Sequence, residues 1–242
     1  MDILFDIVIP VGPNDSNIIE TMLSYTKKNI IGYRNIYLIS YDSTLNIEGC
    51  ITINENVFPF NKTYLSLYLG NNNRLGWYLQ QLFKLYASFY IDGILDNYLV
   101  IDSDTIFLRP TSFFSSKLPL YNIGTEYHLP YFDHMKKLHP SLVKQINHSG
   151  ICHHMMFQKM YLIELFNLIE NYHNDKFYNI FLKSIDIKDI LHSGASEYEI
   201  YFNYILTYHF KEITIRPLQW ANVHTLNVIP NLDYISCHWY MR

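Results

Sequence analysis

The most informative segment of this sequence reads Tyr98-Leu99-Val100-Ile101-Asp102-Ser103-Asp104. Four apolar residues in a row predict a short buried strand in the middle of a sheet. The aspartates follow at once and end the strand in a turn. Because open α/β sheets bind ligands at the carboxyl ends of their strands, we expect Asp102 and Asp104 to lie at a binding site.

Other short apolar runs predict three earlier strands, at residues 4–11, 35–40 and 51–53. Residues 17–28 carry apolar side chains at helical spacing, and Asp15 or Ser16 is a suitable cap for that helix. The order of strand, helix and strand favours a parallel sheet with crossover helices.

A longer helix is predicted at residues 77–91, where Gln81, Lys84 and Ser88 form one polar stripe beside an apolar face. In the second half, strands are predicted at 154–157, 213–215 and 234–237, and helices from 158 to about 172 and at 197–208. Residues 176–191 have a mixed pattern, which we interpret as an insertion.

These elements predict an α/β fold in which helices flank a mixed, mainly parallel central sheet. A chain of 242 residues fits one domain, and no repeat or linker divides it. The formal net charge of −4 provides no basic field for nucleic acid. Three widely spaced cysteines, no signal-peptide pattern and no membrane-length apolar run favour the cytoplasm, or the host cytoplasm if the chain is viral.

Two carboxylates placed two residues apart after a strand can both reach one hard cation, such as Mn²⁺ or Mg²⁺. Such a cation can hold a diphosphate and neutralise charge while a phosphate–sugar bond breaks. The alternative is that Asp102 and Asp104 only shape a turn, since aspartate often accepts local backbone hydrogen bonds.

Four segments together resemble the small GT-A glycosyltransferases, and more narrowly a bacterial and viral branch of that superfamily. These segments are Ile7-Val8-Ile9-Pro10-Val11, Gly76-Trp77-Tyr78-Leu79-Gln80-Gln81-Leu82-Phe83-Lys84-Leu85, Asp102-Ser103-Asp104 and Ser196-Glu197-Tyr198-Glu199. The resemblance extends over most of the chain through short motifs.

The resemblance implies a Rossmann-like sheet, a nucleotide-diphosphate sugar as donor (a UDP-sugar favoured), and Mn²⁺ or Mg²⁺ as cofactor. It implies a donor-binding half at residues 1–110 and an acceptor-binding half at 111–242, within one domain at 1–242. The acceptor is a glycan, a lipid or a protein.

The resemblance also implies the roles of individual residues. The loop after the first strand would contact the base and ribose, through Pro10, Val11 and Gly12. The cation ligands would be Asp104, Asp102 directly or through water, and His238, with Ser103 beside the donor. The alternative for His238 is a packed histidine next to Trp239.

Several further residues are candidates for substrate contacts. Arg74 and Lys84 are candidates for the donor diphosphate, with Gln81 on the same helix face as Lys84. The alternative for both cations is an exposed surface charge. Glu197 is a candidate general base, or a hydrogen-bond partner of the acceptor.

Other polar residues near these candidates can be explained by structural roles or excluded as a zinc site. Ser196 and Glu199 match a capping box, in which the Glu199 carboxylate reaches back to the cap. Cys152, His153 and His154 are too close together along one strand to converge on a zinc ion with His148. One of these histidines remains a candidate for a substrate contact.

Three other functions compete with glycosyl transfer. A haloacid-dehalogenase-type phosphatase also places Asp-x-Asp after an apolar strand, but here the motif lies mid-chain and no later aspartate pair follows. A nucleotidyltransferase would carry a glycine-rich basic loop, which residues 11–14 lack. The third alternative is a GT-A module that binds a sugar or nucleotide without catalysis.

Overall fold

A computed structural model describes residues 3–225, 229, 231–238 and 241 of the chain. The helices are α1 (Ile19–Asn29), α2 (Lys62–Leu69), α3 (Leu75–Tyr90), α4 (Leu129–Leu138), α5 (Lys159–His173), α6 (Phe177–Lys183) and α7 (Glu197–Tyr208). The strands are β1 (Phe5–Val11), β2 (Ile30–Ile31), β3 (Tyr33–Ser40), β4 (Ile51–Asn54), β5 (Asn97–Ile101), β6 (Thr105–Phe107), β7 (Thr111–Ser112), β8 (Phe114–Ser115), β9 (Leu118–Tyr121), β10 (His154–Gln158), β11 (Thr214–Ile215), β12 (Trp220–Asn222) and β13 (Tyr234–Ser236).

The central sheet has five strands in the order β10-β5-β1-β3-β4. Strands β5, β1, β3 and β4 run parallel to one another, and β10 runs antiparallel to β5. Three short sheets, β11-β9-β8, β12-β13-β6 and β2-β7, surround it. The predicted mixed, mainly parallel sheet is therefore confirmed.

Strands β1 and β5 are almost fully buried, which explains why they read as continuous apolar runs. Helix α3 packs on β1 and α5 packs on β10, and both helices contact α7. Because β10 comes from the second half of the chain and pairs with β5, both halves contribute to one sheet and one core. The fold is a single compact domain.

A buried carboxylate fixes the amino end of the central strands. Asp6 in β1 is fully buried and receives Nε and a terminal guanidinium nitrogen of Arg34, at 3.0 and 2.6 Å. The backbone N–H groups of Asn35 and Leu95 also donate to Asp6. These bonds join β1 to β3 and to the segment before β5. They lie at the amino ends of the parallel strands, whereas Asp102 and Asp104 follow the carboxyl end of β5.

One local prediction, the cap of the first helix, is wrong. Helix α1 begins at Ile19 with Ile18 as its N-cap, and neither Asp15 nor Ser16 caps it. The mixed segment at 176–191 forms α6 and a 3-10 helix at Ile187–His192, and α6 packs against α5 and α2 as part of the core. Among the residues that the structure describes, no helix has the length and apolarity needed to cross a bilayer.

His154 is buried in an aromatic cage at the start of β10. The rings of Phe107, Phe113 and Tyr234 meet its ring edge-on, with centroids 5.2, 5.5 and 4.9 Å away. Burial, with the nearby charge of Arg216, lowers the pKa of His154 to about 3. The ring is therefore neutral in the folded state near neutral pH.

We predict that His154 makes the fold sensitive to mild acid. An unfolded histidine titrates near pH ~6.5. The stability that neutral His154 contributes is therefore present above that pH and is lost as the pH falls towards 3. At pH 4.5 the loss amounts to roughly 2 to 3 kcal/mol. Urea unfolding of His154→Phe at pH 7 and 4.5 should show a smaller acid loss than wild type by about this amount.

His192 is exposed, so His192→Gln is the matched control and should retain the wild-type acid loss. Equal losses in wild type and His154→Phe would contradict the prediction.

Candidate functional site

The turn Asp102-Ser103-Asp104 follows β5 directly, beside β1 and β10. The Asp102 backbone N–H donates to the His153 carbonyl at 2.9 Å, and the Thr105 N–H donates back to the Asp102 carbonyl at 3.0 Å. The turn therefore closes tightly and leads into β6. Its side chains lie at the carboxyl edge of the parallel strands, as the sequence predicts.

The Asp102 carboxylate accepts from three protein groups. Oδ1 lies 2.6 Å from Lys84 Nζ and 2.8 Å from the Tyr198 hydroxyl, and Oδ2 lies 3.3 Å from His153 Nδ1. Burial would raise the pKa of Asp102, but Lys84 and His153 outweigh burial, and the pKa falls well below its ordinary range. Asp102 is therefore an ionised carboxylate that its neighbours hold in place.

Lys84 lies between two carboxylates. Its ammonium is 2.6 Å from Asp102 Oδ1 and 2.6 Å from Glu197 Oε1, and its side chain is only 8% exposed. The ammonium also lies 4.4 Å from the ring centroid of Tyr198. Burial alone would lower the pKa of Lys84, but the two carboxylates raise it above its ordinary value. The polar stripe of α3 thus faces the site, and the alternative of an exposed Lys84 is wrong.

Glu197 occupies the first turn of α7 and is buried beside Lys84. Its backbone N–H donates to Gln81 Oε1 at 3.1 Å, so two residues of the α3 stripe hold the start of α7. Burial and the charge of Asp102 raise the pKa of Glu197, although Lys84 opposes the shift. Glu197 therefore takes up a proton more readily than an exposed glutamate.

Asp104 faces the C-terminal part of the chain. Its Oδ1 accepts from the Ser236 hydroxyl at 3.1 Å, and its Oδ2 lies 3.2 Å from His238 Nδ1. Its carbonyl accepts from the Cys237 N–H at 2.9 Å. Burial alone would lower the pKa of His238, but Asp104 raises it above the ordinary value. The packing partner considered for His238, Trp239, lies outside the described residues.

The loop after β1 is joined to the aspartate turn through Asp15. One oxygen of Asp15, Oδ2, accepts from the Gly12 N–H at 3.0 Å and from the Ser103 hydroxyl at 2.7 Å. Pro10 and Val11 end β1 immediately before Gly12. The predicted base and ribose loop therefore borders the predicted cation site.

The capping box at Ser196 is only half formed. The Ser196 hydroxyl accepts from the Glu199 N–H at 3.3 Å, as expected for a cap. The Glu199 carboxylate does not return to the cap; it accepts from the Ser149 hydroxyl and from Asn203 Nδ2. Because Glu199 is fully buried and has lost its contact with water, these two donors provide the hydrogen bonds that its carboxylate needs.

Arg74 lies apart from this group. It precedes α3 and donates to the Ser193 hydroxyl at 2.6 Å, and its guanidinium lies 4.2 Å from the Trp77 ring centroid. Ten helical positions separate it from Lys84, a distance of about 15 Å along the axis. Arg74 therefore marks the outer end of α3, whereas Lys84 lies at the aspartate turn.

The sequence-predicted residues Gly12, Gln81, Lys84, Asp102, Ser103, Asp104, Glu197 and His238 thus form one connected group. Among the described residues, no set of three or more His, Cys, Asp and Glu side chains is arranged to hold a metal ion. The ionisable side chains instead form pairs, Asp102 with His153 and Asp104 with His238.

A scan against protein-family models finds no match for this chain, and a search of curated proteins finds no significant match.

Sequence reasoning missed Asp15 and Tyr198 and gave His153 no defined role. Asp15 lies in a proline-containing loop whose conformation periodicity does not predict. Tyr198 lies within the helix start that resembles GT-A enzymes, but its direction depends on how α7 packs on α3. His153 and His154 point to different surroundings: His153 contacts Asp102, and His154 lies in the aromatic cage.

We predict that Lys84→Met destabilises the fold by about 3–5 kcal/mol at pH 7, because it leaves the partly buried Asp102 and the buried Glu197 without their cation. The deficit should shrink as the pH is lowered towards 5, because protonation of Glu197 removes one of the two negative charges. Urea unfolding at both pH values measures this effect.

The double variant Lys84→Met/Glu197→Gln should be more stable than Lys84→Met at pH 7, as a double-mutant cycle will show. Lys211 is exposed, so Lys211→Met is the matched control and should stay within about 0.5 kcal/mol of wild type. A similarly small effect for Lys84→Met would show that the ion pairs do not stabilise the fold.

Proposed function

We propose that the chain is a metal-dependent glycosyltransferase of the GT-A type. It transfers a sugar from a nucleotide-diphosphate sugar, a UDP-sugar favoured, to a glycan, lipid or protein acceptor. The supporting observation is the juxtaposition of the Asp102-Ser103-Asp104 turn with the loop after β1 at the carboxyl edge of a mainly parallel sheet. This is the edge at which such sheets bind nucleotides.

The side chains at Asp104 suit a divalent cation. Asp104 Oδ2 and His238 Nδ1 are 3.2 Å apart. Two ligand atoms in neighbouring positions on one cation, with bonds of about 2.1 to 2.2 Å, are roughly 3 Å apart. Oxygen and imidazole ligands suit Mn²⁺. Bound there, the cation would neutralise charge on the diphosphate as the sugar leaves.

The neighbouring residues have roles that follow from their contacts. Gly12 and Asp15 would contact the base and ribose, because they lie in the loop joined to Ser103. Lys84 would hold Asp102 in its ionised form and add positive charge beside the diphosphate. Arg74, at the outer end of α3, would lie at the edge of the proposed donor site.

Glu197 is the candidate acceptor for the proton of the attacking hydroxyl. Its raised pKa brings it closer to the pH at which a general base works best. Its Oε1 is paired with Lys84, so protonation of Glu197 would leave the ammonium to Asp102 alone. Protonation of Glu197 would therefore change the ion pairing of Lys84 with Asp102.

Thermal unfolding with a panel of nucleotide sugars and UDP, each with and without Mn²⁺, tests this proposal. We expect one nucleotide sugar to stabilise the wild type only with Mn²⁺, by roughly 2.7 kcal/mol at about 100 times its dissociation constant. Asp104→Asn should lose the effect. Asp92→Asn, at an exposed position, should keep it.

Other outcomes would support the competing functions. Hydrolysis of a generic phosphoester that Asp102→Asn abolishes would indicate a phosphatase. Metal-dependent binding of a nucleotide sugar without release of its sugar, to any offered acceptor or to water, would indicate a non-catalytic module. The absence of any metal-dependent nucleotide binding would contradict the proposal.

A further inference from the structure

We propose that the acceptor is a neutral glycan, one of whose sugar rings packs against the exposed part of the Trp220 indole ring beside the aspartate turn. This inference rests on the proposed function, because it chooses among the glycan, lipid and protein acceptors that stay open there. It assigns substrate binding to a residue of β12 that the sequence did not single out.

The Trp220 ring is separated from the aspartate turn by a single side chain. Its centroid lies 5.0 Å from that of the His153 ring, with an angle of 85° between the ring planes. His153 Nδ1 in turn lies 3.3 Å from Asp102 Oδ2. Trp220 is only half-buried, so part of a large apolar ring meets solvent close to a carboxylate. Aromatic surface beside a few polar groups is the usual composition of a small-molecule site.

A buried tyrosine fixes the position of the indole ring. Trp220 and Tyr234 are paired across β12 and β13, and their rings stack with centroids 5.6 Å apart and planes 10° apart. The fully buried Tyr234 donates its hydroxyl to the Cys152 carbonyl at 2.9 Å and accepts from Asn122 Nδ2 at 2.8 Å. Because the indole ring is held on one side in this way, it loses little conformational freedom when a ligand binds.

The loop after β9 passes directly beside the indole ring at Gly124. A Cβ atom at this position would collide with the Ile151 carbonyl and would lie 3.4 Å from the Trp220 ring. Gly124 and Ser149 also exchange two backbone hydrogen bonds, of 2.8 and 3.0 Å. Only glycine fits here, and the loop is therefore held against Trp220.

The same loop brings a carboxylate to this side of the site. Glu126 is exposed and follows Gly124 by two residues. Burial, followed by the charges of Glu126 and Glu197, raises the pKa of Tyr131 above its ordinary value, so both carboxylates act on one hydroxyl. Glu197 is the candidate acceptor for the proton of the attacking hydroxyl. The loop that borders Trp220 therefore also borders the group that would receive this proton.

The chemistry of these side chains matches that of a sugar. A pyranose presents C–H groups on its faces, which pack on an aromatic ring, and hydroxyls at its rim, which donate to carboxylates such as Glu126. A lipid tail would instead need a continuous apolar surface. The exposed residues that adjoin the ring in the strand and the loop are polar, namely Thr125, Glu126, Gln219 and Asn222. Because Glu126 would repel an anionic sugar, the glycan is neutral.

Fluorine NMR of the whole chain labelled with 5-fluorotryptophan tests the contact directly. The chain has three tryptophans, and the signal that Trp220→Phe lacks belongs to Trp220. Maltotriose, cellotriose, chitotriose, lactose and the anionic sialyllactose are titrated with and without UDP and Mn²⁺. We expect at least one neutral saccharide to shift the Trp220 signal, and no shift with sialyllactose, phosphatidylcholine vesicles or a serine-rich peptide.

A shift caused by the vesicles, by the peptide or by sialyllactose alone would overturn the inference. The absence of a shift with all four neutral saccharides would overturn it as well.

Variants distinguish a substrate contact from a structural role. Trp220→Leu should weaken binding of the active saccharide by about tenfold or more, whereas Trp220→Tyr, which keeps a ring, should stay within about threefold of wild type. Both should bind UDP with Mn²⁺ like wild type in calorimetry. Phe210→Leu removes an exposed aromatic ring beyond the far end of α7 and is the matched control, with unchanged saccharide binding.

Saccharide binding by Trp220→Leu equal to wild type would contradict the inference. A parallel loss of UDP binding in both Trp220 variants would indicate a structural role and would also contradict it.

The two ligands separate this inference from the proposed function. If UDP binds with Mn²⁺ but no neutral saccharide reaches Trp220, the inference fails and the proposed function stands. If a neutral saccharide shifts the Trp220 signal but no nucleotide binds with metal, the glycan contact stands and the proposed function fails.

Discussion

The buried ammonium of Lys84 joins three parts of the chain that are far apart in sequence. It belongs to α3, and its two carboxylate partners belong to the turn after β5 and to the start of α7. Without a cation, the partly buried Asp102 and the buried Glu197 would both be destabilised in their ionised forms. The position of the aspartate turn relative to the helical layer therefore depends on this single charge.

The same network gives the two aspartates different surroundings. Lys84, Tyr198 and His153 surround Asp102, so its charge is already balanced by protein groups. Asp104 faces Ser236 and His238 on the other side of the turn. This division suits a site in which one carboxylate organises the protein and the other meets the cation.

Much of the fold was predictable because its signals are local. The buried strand before Asp102 was recognisable from apolar runs, and the predicted helix at 197–208 coincides with α7. Helices α2 and α4 were not predicted. Both are short, and such helices owe most of their stability to packing that a single sequence does not reveal.

Most residues of the candidate site could be predicted from the sequence, but the long-range contacts between them could not. The polar stripe containing Gln81 and Lys84 was visible, but its contact with Glu197 spans 113 positions. The Asp15 bond to Ser103 spans 88 positions and depends on a loop conformation that no periodic pattern encodes. The contact of His153 with Asp102 spans 51 positions, and His153 adopts a left-handed backbone conformation that the sequence pattern does not predict.

The most direct test of the central claim is a crystal structure of the chain with Mn²⁺ and UDP. We predict a manganese ion about 2.2 Å from an Asp104 carboxylate oxygen, with the UDP diphosphate on the ion and the base against the loop at Gly12. Manganese or UDP bound elsewhere, with the pairing of Asp104 and His238 unchanged, would contradict the assignment of this turn as a nucleotide-sugar site.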